Sequence, residues 1–316
     1  MATPLARPES FPEKLVPHLI NMVRGKSSIA TLSNATPIPF NGLREYVFNM
    51  ENEVSVVGES GQKPASTMTL TPRTIHPIKI LYQSRVTDEF LHASTELKIS
   101  IMQSFVEGYA RKLAKGLDTM AFHGVNPYTG QISSLINSYF DDEIENNVVY
   151  LGADSSMPDD NIEAAIAMIQ AGYYDPSGIA MSPAMRSALA NMKVADNWYQ
   201  RLYPEMAWGA EQQSMNGLQI RVNPTVSAYP AAKADGYTYT DYAILGDFHS
   251  AFRWGYALNP SMEVIEFGDP DGTGYDLKAY NQVMLRSETY LGWSVLDPDA
   301  FAIIKKKEVT TPDTGD

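Results

Sequence analysis

The chain contains no cysteine. That excludes disulfide staples and thiolate metal sites, and it fits a reducing compartment. Cations are also scarce, with 24 Lys plus Arg against 37 Asp plus Glu and a net charge of −13. Wrapping nucleic acid depends on cationic neutralisation of phosphates, so this composition argues against a dedicated nucleic-acid binder. The one basic run, Lys305 to Lys307, is short and abuts Glu308. A net-negative surface does suit a protein that stands near nucleic acid without adhering to it. No run of about 18 apolar residues occurs, which excludes a transmembrane helix. The start carries Pro4, Pro8, Pro12 and Pro17 without an apolar h-region, so no secretory signal is expected.

What is present is globular material. The 316 residues are 44% apolar and 19% charged, outside the disordered range, and the length favours about two domains. Residues 1–35 read as an arm, because four prolines interrupt residues 1–17 and residues 27–39 are rich in Ser, Thr and Pro. A short helix is expected at residues 13–23. An arm of this kind buries little by itself, so it is either disordered or laid on another surface. Residues 43–82 read as a long hairpin. Tyr46, Phe48, Met50, Val54 and Val56 alternate on the outgoing strand, and Met68, Leu70, Ile75, Ile78 and Ile80 mark the return strand. The tip, Gly58-Glu-Ser-Gly-Gln-Lys-Pro-Ala-Ser66, is polar and soft. An isolated ribbon of that length needs something to lean on.

The strongest periodic signal runs from Thr87 to about Met120. Leu97, Ile101, Phe105, Tyr109, Leu113 and Leu117 recur every four residues, and Met102, Val106 and Ala110 widen the face. Thr87 is the expected N-cap. A helix of this length spans about 45 Å. Further on, residues 159–171 read as a helix. Ile179 to Met181 read as a strand, with Ser182 capping a helix that opens on Pro183. Residues 215–222 read as turn then strand, and residues 242–254 as strand, turn, strand. Strands are also expected near residues 261–267, 280–287 and 300–304, and residues 310–316 as a loose end.

The search for chemistry returns little. Gly58-Glu-Ser-Gly61 lacks the spacing and context of a nucleophile elbow, so Ser60 reads as a loop tip. No phosphate loop or dinucleotide fingerprint is present. His18, His76, His92, His123 and His249 lack ligand spacing and read as structural. The acidic run Asp141-Asp-Glu-Ile-Glu145 reads as solvated surface. Gly268-Asp-Pro-Asp-Gly-Thr-Gly274 resembles a calcium loop, but counting from Asp269 places Tyr280 where the twelfth-position glutamate belongs. A glycine-rich turn between two strands is the plainer reading. No catalytic residue, cofactor or metal site is therefore expected. What remains is a long arm, a long hairpin, a long helix and a glycine turn, parts that expose more surface than a monomer buries. They point to an assembling subunit.

The order of these parts resembles the HK97-type major capsid protein of tailed bacteriophages. The resemblance rests on the helix at residues 87–121, on Ile179-Ala-Met-Ser-Pro183, on Gly217-Leu-Gln-Ile-Arg-Val222 and on Ala243-Ile-Leu-Gly-Asp-Phe248. It rests most on the ending, Asn281-Gln-Val-Met-Leu-Arg-Ser-Glu288 through Asp297-Pro-Asp-Ala-Phe301. It implies an α+β fold with an N-terminal arm (1–35), an extended hairpin loop (36–86) and a spine helix (87–121). An apical domain (mainly 122–254), peripheral strands with a turn (255–290) and a C-terminal segment (291–316) complete it. It also implies a virion protein, not an enzyme. Such a protein self-assembles in the host cytoplasm into pentamers and hexamers of an icosahedral or prolate shell around double-stranded DNA. Portal, decoration and separate scaffold proteins would be its partners. No scaffolding segment of about a hundred residues precedes the arm, so the expectation is that either a separate scaffold protein is used or assembly needs none. The interface candidates are Glu59 and Lys63 at the hairpin tip and Asp269, Asp271, Gly272 and Gly274 in the glycine turn. Lys63 sits where some relatives form a Lys–Asn crosslink, but no asparagine and glutamate match residue by residue, so no crosslink is expected. An encapsulin-like compartment shell is the alternative of the same fold, and a soluble hydrolase or carbohydrate-binding protein the alternative of another class.

Overall fold

The computed structural model describes residues 15–50, 54–65, 67–89, 95–151, 158–194, 197–209, 213–232 and 237–309. In chain order, helices Leu15–Lys26 and Ser28–Leu32 precede a ribbon of β1 (Leu43–Met50) and β2 (Met68–Ile75). After β3 (Ile78–Thr87) comes the long helix Thr95–His123, then the small pair β4 (Val125–Asn126) and β5 (Gln131–Ile132). The one-turn helix Phe140–Glu143, β6 (Val148–Leu151) and helix Pro158–Ala171 follow, then β7 (Gly178–Met181) and helix Pro183–Asn191. A second small pair, β8 (Lys193–Val194) and β9 (Asn197–Arg201), leads to β10 (Ser214–Met215), β11 (Leu218–Val222) and β12 (Ala231–Ala232). The last four strands are β13 (Tyr237–Gly246), β14 (Phe252–Ile265), β15 (Gln282–Val295) and β16 (Phe301–Val309).

Two sheets organise the chain. The larger is mixed, ordered β10-β11-β7-β13-β16-β6 with β12 paired to β13. Its central strands β7, β13 and β16 are buried on both faces, and side-chain alternation sorts their residues into two cores. Ala180, Ile244 and Ile303 face the long helix, packing with Leu113, Leu117, Phe122 and Phe140. Their neighbours Ile179, Met181, Ala243, Leu245, Ala302 and Ile304 face the other way, against Ile162, Ala165 and Ile169 of one helix and Met185 and Leu189 of the next. An aromatic cluster centres on Phe140, whose ring lies 5.7 Å from Phe122, 5.3 Å from Phe252 and 5.0 Å from Phe301. The smaller sheet is antiparallel, ordered β14-β15-β3.

Several local expectations hold. Ser182 caps its helix by accepting from the Met185 N–H at 3.2 Å, with Pro183 at the first helical position. The buried stripe of the long helix is Val106, Tyr109, Ala110, Leu113, Ala114, Leu117, Met120 and Ala121. Asn216 (φ 50°) and Gly217 (φ 92°) make the tight turn between β10 and β11.

Three expectations are corrected. Thr87 does not cap the long helix; it ends β3 and pairs with Gln282. The strand β3 precedes the helix because residues 78–87 pair with β15 and Val86 packs with Val283 and Leu285, so sheet pairing and burial override capping propensity. The return strand of the ribbon stops at Ile75, opposite Leu43. Ile78 and Ile80 belong to β3 and pair with Leu291 and Thr289. The arm is the third. Residues 15–38 are held by this chain itself, with Leu19, Val23, Ile29, Ala30, Leu32 and Ile38 buried. The Thr36 N–H donates to the Trp254 carbonyl at 2.8 Å and the Ile38 N–H to the Tyr256 carbonyl at 3.2 Å. A β-carbon on Gly255 would lie 1.7 Å from the Thr36 carbonyl oxygen, so the absence of a side chain lets the segment lie flat on β14. Pro4, Pro8 and Pro12 lie outside the described residues.

Candidate functional site

Function in this chain lies in surfaces. Among the described residues the ribbon β1–β2 pairs only with itself. Directly opposed residues of an antiparallel pair share a face, so Phe48 opposite Leu70 and Tyr46 opposite Pro72 form one apolar side. That side is uncovered: Phe48 is 60% exposed, Tyr46 50% and Leu70 45%, and Val54 and Val56, beyond the paired strands, are exposed as well. Two ion pairs anchor the base of the ribbon, Arg73 to Glu143 at 3.0 Å and Glu45 to Arg253 at 3.1 Å. At the tip, the Gly61 N–H donates to the Gly58 carbonyl at 2.9 Å. Glu59 and Lys63 are exposed there.

The glycine turn is built around an arginine that sequence reading missed. Arg85, on β3, donates through Nε to Asp271 at 2.8 Å and through Nη2 to Asp269 at 2.9 Å, to Thr273 at 2.6 Å and to the Tyr275 carbonyl at 3.0 Å. A second Asp271 oxygen also accepts from Nη2. Asp269 accepts from the Gly274 N–H at 2.6 Å and the Thr273 N–H at 3.1 Å. Gly272 and Gly274 take φ of 66° and 84°, which lets the chain curl around these carboxylates. Hydrogen bonding from Arg85 holds the Asp271 carboxyl well below its usual range, and Asp271 in turn raises Arg85. The aspartates thus find their basic partner within their own chain. The guanidinium fills the place a calcium ion would need. Asp269 and Asp271 are joined to β3 here; Glu59 and Lys63 stand apart from them on the ribbon tip.

Two buried polar centres lock the arm, the long helix and the larger sheet together. Asp118 is wholly buried on the long helix. It accepts from Ser27 Oγ at 2.5 Å, the Ser28 N–H at 2.8 Å, the Ile29 N–H at 3.1 Å, Asn223 Nδ2 at 3.0 Å and Thr225 Oγ1 at 3.1 Å. Burial pushes its pKa up to about 6 against the pull of those donors. At neutral pH it is an ionised acceptor.

The second centre corrects the reading of Asp141 as solvated surface, while Asp142 and Glu145 of the same run are exposed as expected. His123 Nδ1 lies 2.6 Å from Asp141 Oδ2, and Nε2 lies 2.9 Å from the Thr225 carbonyl. Both ring nitrogens face acceptors, so the ring carries both protons. Burial opposes that charge, but Asp141, Asp241 and the Thr225 carbonyl raise the His123 pKa. Lys305 Nζ lies 2.6 Å from Asp141 and 3.1 Å from Asp241. Burial works against ionisation of Asp141, yet His123 and Lys305 hold it well below the ordinary range. Burial, and then the Asp141 charge, push Asp241 up to about 7. His123, Asp141 and Asp241 approach one another as metal ligands would, but the Lys305 ammonium and the protonated His123 ring together already face the two carboxylates. Nothing local in the sequence marks Asp118 or this cluster; each needs contacts between distant residues, up to 107 apart for Asp118 and 164 apart for Lys305 and Asp141.

A polypeptide with an uncovered ribbon, a long helix under a small sheet and a larger mixed sheet has the HK97-like coat-subunit fold. Comparisons carry this to a family: the profile of the Phage capsid family matches residues 11–306, and the chain belongs to that family. No curated protein matches the chain. Among solved structures, a chain from Mycobacterium phage Ogopogo is similar with a TM-score of 0.74 at 31% identity, covering 89% of this chain and 92% of that one. A chain from Gordonia phage Cozz gives 0.70 at 26% identity, covering 89% and 86%. A chain titled as the capsid of an empty GTA particle shares the fold, with 0.61 at 14% identity over 89% and 90%. The protein is a structural capsid subunit of the virion.

Proposed function

We propose that this subunit forms the pentamers and hexamers of a closed shell, icosahedral or prolate, that encloses double-stranded DNA after assembly in the host cytoplasm. The larger sheet with its two flanking helices serves as the apical domain at the capsomer centre. The long helix and the β14-β15-β3 sheet serve as the peripheral domain, and the ribbon overlies a neighbour. Scaffold, portal and decoration proteins complete the particle. The turn at residues 268–274 contacts an adjoining capsomer, presenting the Arg85-closed loop as a preformed knob. The alternative of a cargo compartment is not favoured by the capsid family match, and the soluble hydrolase by neither the family nor the buried centres, which are closed by their own ions.

The observation that carries the reading is the uncovered apolar side of the ribbon. Exposed aromatic and β-branched side chains in a row mark an interface, and the small sheet and body of the same chain leave them uncovered. The test is electron microscopy and sedimentation of purified wild-type and Phe48→Asp protein. Closed shells from the wild type, and folded subunits without shells from the variant, are expected. Shells of unchanged yield from Phe48→Asp would defeat the ribbon's role.

A further inference from the structure

The negative charge of the chain is not spread evenly. Two open clefts flank the end of helix Leu15–Lys26, with volumes of about 760 Å³ and 330 Å³. The first is lined by Arg24, Arg186 and Arg221, the second by Lys26, Arg111 and Lys115. No aspartate or glutamate lines either cleft among the described residues. The arm is tied to a lining residue of each cleft: Arg221 Nη2 donates to the Gly25 carbonyl at 2.5 Å, and Asn223 Nδ2 to the Lys26 carbonyl at 3.0 Å. Arg111 and Lys115 stand one turn apart on the long helix and so point to the same side.

These cations are only lightly engaged. Arg24 reaches Asn34 at 3.4 Å, Arg186 donates to the Met206 carbonyl at 2.9 Å, and Arg111 meets Glu107 only at 3.8 Å. Arg221 Nε is buried without a hydrogen-bond partner. Arg24 and Lys26 occupy the last turn of their helix, where cations complement the helix dipole. That accounts for two of the six and leaves the convergence of three other elements unexplained.

We propose that this face binds the phosphodiester backbone of double-stranded DNA and therefore looks into the shell. The inference rests on the reading that the shell encloses DNA. Phosphate contacts need charge and little else, whereas a docked acidic protein segment draws its affinity from buried aromatic and apolar anchors. Neither cleft has an aromatic side chain in its lining. The rest of the strongly acidic chain repels DNA, so contact is confined to this face and is weak and salt-labile. A container must hold its genome without gluing it to the wall, and such contact permits that.

The test uses full-length protein and a labelled 30-base-pair duplex, read by fluorescence anisotropy across a salt series. Lys26→Gln, Arg111→Gln and Lys115→Gln are combined, since these side chains are exposed. Arg221, which holds the arm, stays. Circular dichroism checks folding, and the charge-keeping set Lys26→Arg, Arg111→Lys, Lys115→Arg is the rescue. The wild type should bind with a steep salt dependence. The neutralised variant should bind about tenfold or more weakly, its log-log salt slope lower by about 3, and the charge-keeping set should bind as the wild type does. Lys63→Gln on the ribbon should change nothing. Equal binding by the neutralised variant overturns the inference. So does capture of polyglutamate by the wild type in preference to duplex, which would make the face a dock for an acidic protein. Shell formation is scored separately by electron microscopy. Shells from a protein with no cleft-dependent DNA binding sink this inference alone, and DNA binding without shells sinks the assembly reading.

Discussion

Asp118, in the seventh turn of the long helix from its described start, accepts the backbone N–H of Ser28, 90 residues earlier, at 2.8 Å. Its carboxylate also serves the first N–H groups of the short helix Ser28–Leu32, where a helix leaves its donors unsatisfied. Asn223 and Thr225 complete the set from the far side. One side chain thus fixes the arm, the helix and the segment after β11. Asp118→Ala strands these buried donors at once, and a loss of about 3–5 kcal/mol is expected. Chemical denaturation of the free subunit measures it; a loss under about 1 kcal/mol would deny the latch.

Leu113 is 2% exposed on the stripe that faces the larger sheet. Leu113→Asp buries a carboxylate without a partner, which costs several kcal/mol. Soluble folded subunit should be lost, beyond any loss of assembly. Leu113→Ala is the milder form, with about 2–5 kcal/mol expected from the cavity. A native circular dichroism spectrum and normal yield for the aspartate variant would contradict the packing described.

Gly255→Ala drives a methyl into the Thr36 carbonyl, 1.7 Å away in the present geometry. Backbone on both sides leaves no flexible atom to yield. The expected cost is at least about 2 kcal/mol, with new protease cleavage between residues 27 and 38. Limited proteolysis with mass mapping reads this directly. Cleavage confined to the ribbon tip in both proteins would mean that the arm lies down without Gly255.

The buried centres set the response to pH. His123 has its folded pKa raised, so its contribution is full below about pH 6.5 and is lost as pH climbs through the folded value. Asp118 and Asp241, raised to about 6 and about 7, lose their contributions upward from about pH 4 to those values. All three act in the same direction. The free subunit should melt lower at pH 8.5 than at pH 5.5, and His123→Gln should flatten the part above pH 6.5. Differential scanning calorimetry at constant ionic strength tests the slope; a melting temperature that rises across this range would overturn the charge assignment.

Asp269→Ala with Asp271→Ala removes both carboxylates from Arg85 and leaves it Thr273, Gln282 and the Tyr275 carbonyl. The turn is exposed, so the subunit should stay folded with a melting temperature near that of the wild type. Shells should be weaker, most visibly at high salt, if the loop is the proposed knob. Shell yield and salt resistance unchanged by the double substitution would make it a connector. Chelator treatment should leave wild-type shells intact, because the cation in the loop is a guanidinium; dissolution by chelator would restore the metal reading.

Periodicity and punctuation in the sequence determined much of the fold. The four-residue recurrence through Tyr109, Leu113 and Leu117 specified the buried face of the long helix, and Ser182-Pro183 specified a helix start, because both are local facts of backbone geometry. Alternation specified the ribbon, and the ordered series of parts specified the family. Tertiary structure decided the rest. Whether Ile78 and Ile80 continued the ribbon or joined another sheet depended on β15, some two hundred residues away. Whether residues 15–38 lay free or docked depended on Gly255 and Asp118. Whether Asp141 faced water depended on His123 and Lys305, and whether Asp269 and Asp271 awaited a metal depended on Arg85. A charge has no periodicity, and its environment is made by whichever strands and helices come to surround it. The charged contacts became visible only when the chain was folded.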